Sequence, residues 1–169
     1  VLEHPGAVAV LPLHEDRSVV LIDQYRHPVG RRIRELPAGL LDAPGEDPVT
    51  TARRELMEEV GLAAADWSVL VDVMVSPGFS DESVRVFLAR ELTEVGRAAG
   101  HEDDEEADLD VLRLPLDEAV RQVLASEIVN AATVAGLLAA HAVLAGTAAP
   151  RPVGTPWPDR PTRFADRRR

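Results

Sequence analysis

Apolar residues in the first part of the chain bunch into short, β-branched runs, which predicts strands before helices. Gly6–Leu13 (GAVAVLPL) and Val19–Tyr25 (VVLIDQY) each read as a strand. The polar stretch His14–Ser18 reads as a turn between them, so the two are expected to form a hairpin. His27–Arg32 is a loop by its Pro and Gly, and a short strand at Ile33–Leu36 runs into Pro37-Ala38-Gly39. The period then changes. At about 100° per residue, Val49, Ala52, Leu56 and Val60 fall on one face of a helix over Asp47–Leu62. Asp47 suits the N-cap, Pro48 the first helical position and Gly61 the C-terminal stop. Trp67–Val75 and Val84–Arg90 read as strands flanking the turn Ser76–Asp81 (SPGFSD), and Leu109–Leu114 partly alternates like another strand. Helices are expected near Leu116–Ala125 and Asn130–Ala145. Strands around one charged helix, with more helices late, indicate an α/β chain in which a mixed sheet is sandwiched by helices. Residues 1–145 read as a single domain. Five prolines between Pro150 and Pro161 mark 146–169 as an extended or loosely docked tail.

Composition narrows the class. At 169 residues and 46% hydrophobic, the chain suits one domain with a sizeable core. It has no cysteine, which excludes disulfides and thiolate metal sites and fits a reducing cytoplasm. No secretory signal is read, and the longest apolar stretch, Ala131–Ala145, is interrupted by Thr133 and His141 and too short to span a bilayer. A soluble protein without a membrane partner is expected. The net charge of −11, from 29 acids against 18 bases, repels nucleic-acid backbones, so no nucleic-acid partner is expected. Arg167-Arg168-Arg169 reads as a short solvated end.

The chemistry sits on the first helix. Glu55, Glu58 and Glu59 share an arc about 100° wide beside the apolar face, because residues three and four apart are neighbours on a helix. Arg54 lies one turn from Glu58. Three carboxylates on one arc repel one another unless positive charge sits among them. Arg54 neutralises part, and a hard divalent cation, Mg2+ or Mn2+, suits the rest. A solvated acidic face is the plainer account of two adjacent glutamates taken alone.

The full spacing decides against the plainer account. Gly39 is followed by six residues, Glu46, seven residues and then Arg54-Glu55-Leu56-Met57-Glu58-Glu59-Val60-Gly61-Leu62. This closely resembles the Nudix box: Gly, five residues, Glu, seven residues, then R-E-U-x-E-E-x-G-U with U apolar. Every fixed position from Glu46 to Leu62 agrees. The one departure is an extra residue in the loop Leu40–Gly45, where a bulge is expected to absorb it. The resemblance implies a Nudix-type α/β/α sandwich with a catalytic loop–helix–loop. It makes Glu55 and Glu59 the principal metal ligands, with Glu58 sharing the metals, the Ala38 carbonyl contributing from the loop and Glu106 a further metal candidate. It has Arg54 orient Glu58, and Glu46 brace the loop and Arg54. Metals so held bridge phosphate oxygens, acidify a bound water and stabilise charge as it attacks phosphorus.

Three further features look like the ADP-ribose pyrophosphatase branch. The box follows Glu35-Leu36-Pro37-Ala38-Gly39-Leu40-Leu41-Asp42, similar to that branch's E-x-P-A-G-L-I-D. Pro77 lies fifteen residues beyond Leu62, where the branch places a proline. The acidic run Glu102–Asp108 stands where the family keeps the glutamate that activates water. Glu106 is the first choice for that base and Glu105 the second. By family position Arg26 contacts the pyrophosphate. Arg34 is a further substrate candidate, and Arg31, Arg32 and Arg34 are each as suited to the surface as to ligand contact. Ser80 and Glu82 are expected on the ribose side. Phe79 is expected to be packed inside, and His4, His14, His27, His101 and His141 show no ligand spacing. Members of the branch usually carry an N-terminal β-segment that swaps between subunits and walls the adenine pocket, and this chain begins almost at its first strand. A homodimer is expected from the resemblance.

The leading expectation is metal-dependent hydrolysis of ADP-ribose to AMP and ribose 5-phosphate. The alternatives are another pyrophosphate substrate (a different sugar nucleotide, a dinucleotide or an oxidised nucleoside triphosphate) or a module that binds ADP-ribose without cleaving it. Such modules usually lose part of the glutamate set that this chain retains.

Overall fold

The computed structural model describes residues 1–43, 45–97 and 109–166. Strands β1 (Ala7–Pro12), β4 (Ala38–Leu40), β5 (Leu62–Met74), β6 (Ser83–Glu94) and β8 (Arg151–Pro152) form one sheet in the order β4-β1-β6-β5-β8. The β1–β6 pair is parallel and the others antiparallel, so the sheet is mixed. Strands β2 (Ser18–Arg26), β3 (Arg31–Glu35) and β7 (Leu109–Pro115) form a second, antiparallel sheet ordered β3-β2-β7.

Helices cover both faces. Ala7, Ala9, Leu11, Val86 and Leu88 pack with Leu116, Ala119 and Val123 of α2 (Leu116–Leu124) and Leu137 and Ala140 of α3 (Ala131–Leu144). Their sequence neighbours Val8, Val10, Phe87 and Ala89 pack the other way, against Ala52, Leu56 and Val60 of α1 (Pro48–Val60). A strand buried on both faces reads as a continuous apolar run, which is why β1 and β6 show little alternation. The result is an α/β/α sandwich. No helix among the described residues is long and apolar enough to cross a membrane.

Two expectations are corrected. Gly6–Leu13 and Val19–Tyr25 pair as strands only at the turn, where Leu13 bridges Val19 and the His14 amide donates to the Ser18 carbonyl. Beyond it they enter different sheets. A strand has two hydrogen-bonding edges, and those of β1 are taken by β6 along its length and by β4 with Pro37, whose carbonyl accepts from Val10. Ala38–Leu40, not expected as a strand of its own, fills the second edge. Asp47 does stand at the head of α1 in an extended conformation, but its side chain makes no capping bond. Pro48 follows it, and Gly61 closes the helix at φ 69°, where an added Cβ would lie 2.8 Å from the Arg97 amide nitrogen.

The proline-rich tail is docked. Arg151 and Pro152 pair with Val69 and Ser68 on β5. Arg85, 3% exposed, grips Asp72 through Nε (2.7 Å) and Nη2 (3.0 Å). It also donates to the carbonyls of Thr155 (2.7 Å) and Pro156 (3.1 Å), and its guanidinium lies 4.9 Å from the ring centroid of Trp157. A buried arginine satisfied by tail carbonyls ties residues 151–157 to the sheet.

Candidate active site

A cleft of about 760 Å³ opens between the start of β1, the Leu36–Leu40 segment, one flank of α1 and the beginning of α3. Glu55 and Glu59, one turn apart on α1, both line it and are only 8% and 7% exposed. The apolar face of α1 is buried against the sheet, and that fixes the helix rotation. The adjoining arc is thereby turned to the cleft.

Local contacts hold each carboxylate. The Ala38 amide donates to Glu59 Oε2 at 2.8 Å, so the segment entering the box is bonded to the helix it precedes. Arg54 Nη1 lies 2.8 Å from Glu55 Oε1 and 3.1 Å from Glu58 Oε2, and its Nη2 is 3.6 Å from Glu46 Oε2. Glu46 Oε2 also accepts from the Thr51 hydroxyl at 2.7 Å. Burial by itself lowers the Arg54 pKa, but attraction to Glu55, the bond to Glu58 and the charges of Glu58 and Glu46 together raise it above its ordinary value. Arg54 therefore stays charged. Glu58 is turned to Arg54 and does not line the cleft.

Gly39 has no room for a side chain. A Cβ there would sit 2.1 Å from Glu55 Oε1 and 2.3 Å from its carboxyl carbon. The glycine that opens the box is thus the floor on which the Glu55 carboxylate rests.

The other wall carries Arg26, Glu35, Glu82 and Asn130. Arg26, at the end of β2, places Nε and Nη2 each 2.8 Å from Glu35 Oε2. Asn130 Nδ2 donates to Glu35 Oε1 at 2.7 Å. The Glu82 amide donates to Ser80 Oγ at 3.1 Å, and its carboxylate lies 3.9 Å from His4 Nε2.

The remaining expected residues sit elsewhere. Arg34 bonds Gln122 Oε1 at 2.7 Å, lies 3.8 Å from Asp23 and does not line the cleft. Ser80 is buried and reaches the cleft only through the Glu82 backbone. Arg32 pairs with Asp23 and Asp110. Phe79, expected inside, is 60% exposed, because the turn uses its backbone to hold Leu2 and leaves the ring outward. Glu105 and Glu106 lie outside the described residues. Glu35 and Asn130 were missed as site residues. Glu35 heads the segment entering the box and Asn130 is a good helix cap, but their meeting across 95 positions has no local signal.

Among the described residues, no three acidic or imidazole side chains converge on a point that would hold a metal ion. Glu55 and Glu59 nevertheless form an all-oxygen donor pair with no soft ligand near, the chemistry a hard divalent cation prefers.

The NUDIX domain model matches residues 3–133. The chain is 56% identical over 168 residues to an ADP-ribose pyrophosphatase of Mycobacterium tuberculosis, covering 99% of this chain and 80% of that protein. It is 40% identical over 133 residues to an ADP-ribose pyrophosphatase of Bacillus subtilis, covering 79% and 70%. A solved structure described as an ADP compounds hydrolase superposes with a TM-score of 0.71 at 27% identity, over 84% of this chain and 74% of that one. The box resting on Gly39, its helix and the sandwich around them are those of one family, and the chain belongs to the Nudix family.

Proposed function

We propose that this chain hydrolyses the pyrophosphate of ADP-ribose, giving AMP and ribose 5-phosphate, with a divalent cation, Mg2+ or Mn2+, at Glu55 and Glu59. One observation carries the reading: two buried carboxylates, one turn apart, line a cleft whose facing wall presents Arg26. A volume of about 760 Å³ suits a ligand the size of a nucleoside diphosphate sugar. Anions this buried need opposite charge or donors, and Arg54 and the Ala38 amide are among the groups that supply them. When bound, the cation supplies positive charge to the phosphate oxygens and to the attacking water.

The protein groups do the rest. Arg26 spends two N–H groups on Glu35 and keeps the others of its fork for a phosphate. Arg54 holds Glu55 and Glu58 in register. Glu82 meets the ribose side. Water oxygen bonds to one phosphorus, the P–O–P bridge breaks, and the water proton passes to Glu106 or, failing that, Glu105. The catalytic unit is residues 1–145, crossed by the tail 146–169. Absence of cysteine supports a cytoplasmic setting, and resemblance to the branch supports a homodimer, which light scattering measures.

Product analysis with ADP-ribose, competing sugar nucleotides and dinucleotides, with and without Mg2+, tests the reading. AMP release that stops in chelator is expected, and Glu55→Gln or Glu59→Gln should lower kcat at least about 100-fold. Glu106→Gln against Glu105→Gln identifies the base. Undiminished turnover in chelator or in both box variants removes the assignment, and tight binding without turnover under any metal makes the protein a binding module.

A further inference from the structure

The Arg26 guanidinium is held by a carboxylate that is itself held from α3, and this second hold has no part in the box. Glu35 is 5% exposed and uses both oxygens: Oε2 for Arg26 and Oε1 for Asn130. Asn130 is at the same time the N-cap of α3, its Oδ1 accepting from the Thr133 amide (3.0 Å) and the Thr133 hydroxyl (2.9 Å). That hydroxyl accepts in turn from the Leu36 amide, next in sequence to Glu35, at 2.9 Å. Three hydrogen bonds and the Glu35–Leu36 peptide link thus join Leu36, Thr133, Asn130 and Glu35 in a ring. Because Oδ1 takes two donors from Thr133, the amide nitrogen must face Glu35. Networks shielded from water in part and satisfied in this way fix orientation.

We propose that Asn130 is a positioning residue for substrate binding: through Glu35 it sets the direction in which Arg26 offers its remaining donors to a phosphate of the substrate. The proposal rests on the assignment of Arg26 to the phosphates made above. A carboxylate bonded to Arg26 alone could swing with it. Anchored on its other oxygen to the cap of a fourteen-residue helix, it cannot. The first turn of α3 also lines the cleft, so the helix that sets the wall sets the arginine as well.

Asn130→Ser separates this role from capping, because serine is a good N-cap but does not reach Glu35. Affinity for ADP-ribose, measured by calorimetry in chelator so that nothing turns over, is expected to fall about tenfold, the scale of one lost bond to a charged group. With Mg2+, KM should rise while kcat stays within about threefold. Asn130→Asp, which keeps the cap and sets a second carboxylate against Glu35, should weaken binding further. In an Arg26→Ala background, Asn130→Ser should cost less than twofold, because its effect runs through Arg26. Equal losses in both backgrounds would make Asn130 merely structural and overturn the proposal. So would unchanged affinity of the Asn130→Ser protein when Arg26→Ala binds weakly. Arg26→Ala binding as tightly as wild type would instead overturn the assignment of Arg26, and the role of Asn130 with it.

Discussion

Gly39→Ala isolates the placement of Glu55 from the chemistry of its carboxylate. Nothing in the Gly39 backbone excludes alanine, since its φ lies outside the left-handed region. The obstacle is the side chain across from it. The new methyl would lie 2.1 Å from Glu55 Oε1, and ordinary contact begins at 3.4 Å, so the carboxylate must retreat by about 1.3 Å. It cannot do so without leaving Arg54 at 2.8 Å or pushing into the buried flank of α1. A misplacement of about 1 Å in a reacting constellation costs on the order of 100-fold, or about 2.7 kcal/mol of barrier. Stability should change far less, because alanine in place of glycine restricts the unfolded chain and offsets part of the strain by about 0.4–1 kcal/mol. The assay is kcat for ADP-ribose with Mg2+, beside the thermal midpoint by circular dichroism. A fall of about 100-fold with a nearly unchanged midpoint is expected, and Gly39→Ala added to Glu55→Gln should lose little more. Activity within threefold of wild type refutes the reasoning, as does a loss of equal size in the Glu55→Gln background.

Two further outcomes concern the scaffold. Arg85→Ala should lower stability by about 3 kcal/mol, the low end for breaking a buried pair, since Asp72 keeps Arg151 at 3.1 Å. Urea denaturation reads the loss, and limited proteolysis should then cut within 151–157; an intact tail would disprove the tie. The Ser18 hydroxyl and amide bonds draw the Asp16 pKa from 3.8 down to about 2. A folded pKa below the unfolded one stabilises fully above about pH 4 and is lost as pH falls toward 2. Asp16→Asn should therefore flatten the acid side of a stability–pH curve over that window, and an unaltered acid slope would count against the bond.

Residue order alone was enough for α1 and for the arc that Glu55 and Glu59 share. A helix is local: the apolar period of Val49, Ala52, Leu56 and Val60, a proline at its start and Gly61 at its end all lie within one segment. The carboxylates on its neighbouring arc inherit their direction from that period. The strands β5 and β6 were legible for the same reason, though each runs on past its apolar stretch because pairing continues where burial stops.

Only the tertiary structure decided which edges pair and which side chains meet. Val19–Tyr25 follows β1 across one short turn, yet it joins another sheet because β4 and β6 occupy both edges of β1. Arg34 and Arg26 carry the same group, and residue type does not separate the one held by Gln122 from the one held at the cleft by Glu35. Glu35 and Asn130, like Arg85 and Thr155, meet across long stretches of chain. Such pairings follow from how helices and sheets pack, and packing depends on all the elements at once, whereas a helix period depends on a dozen consecutive residues.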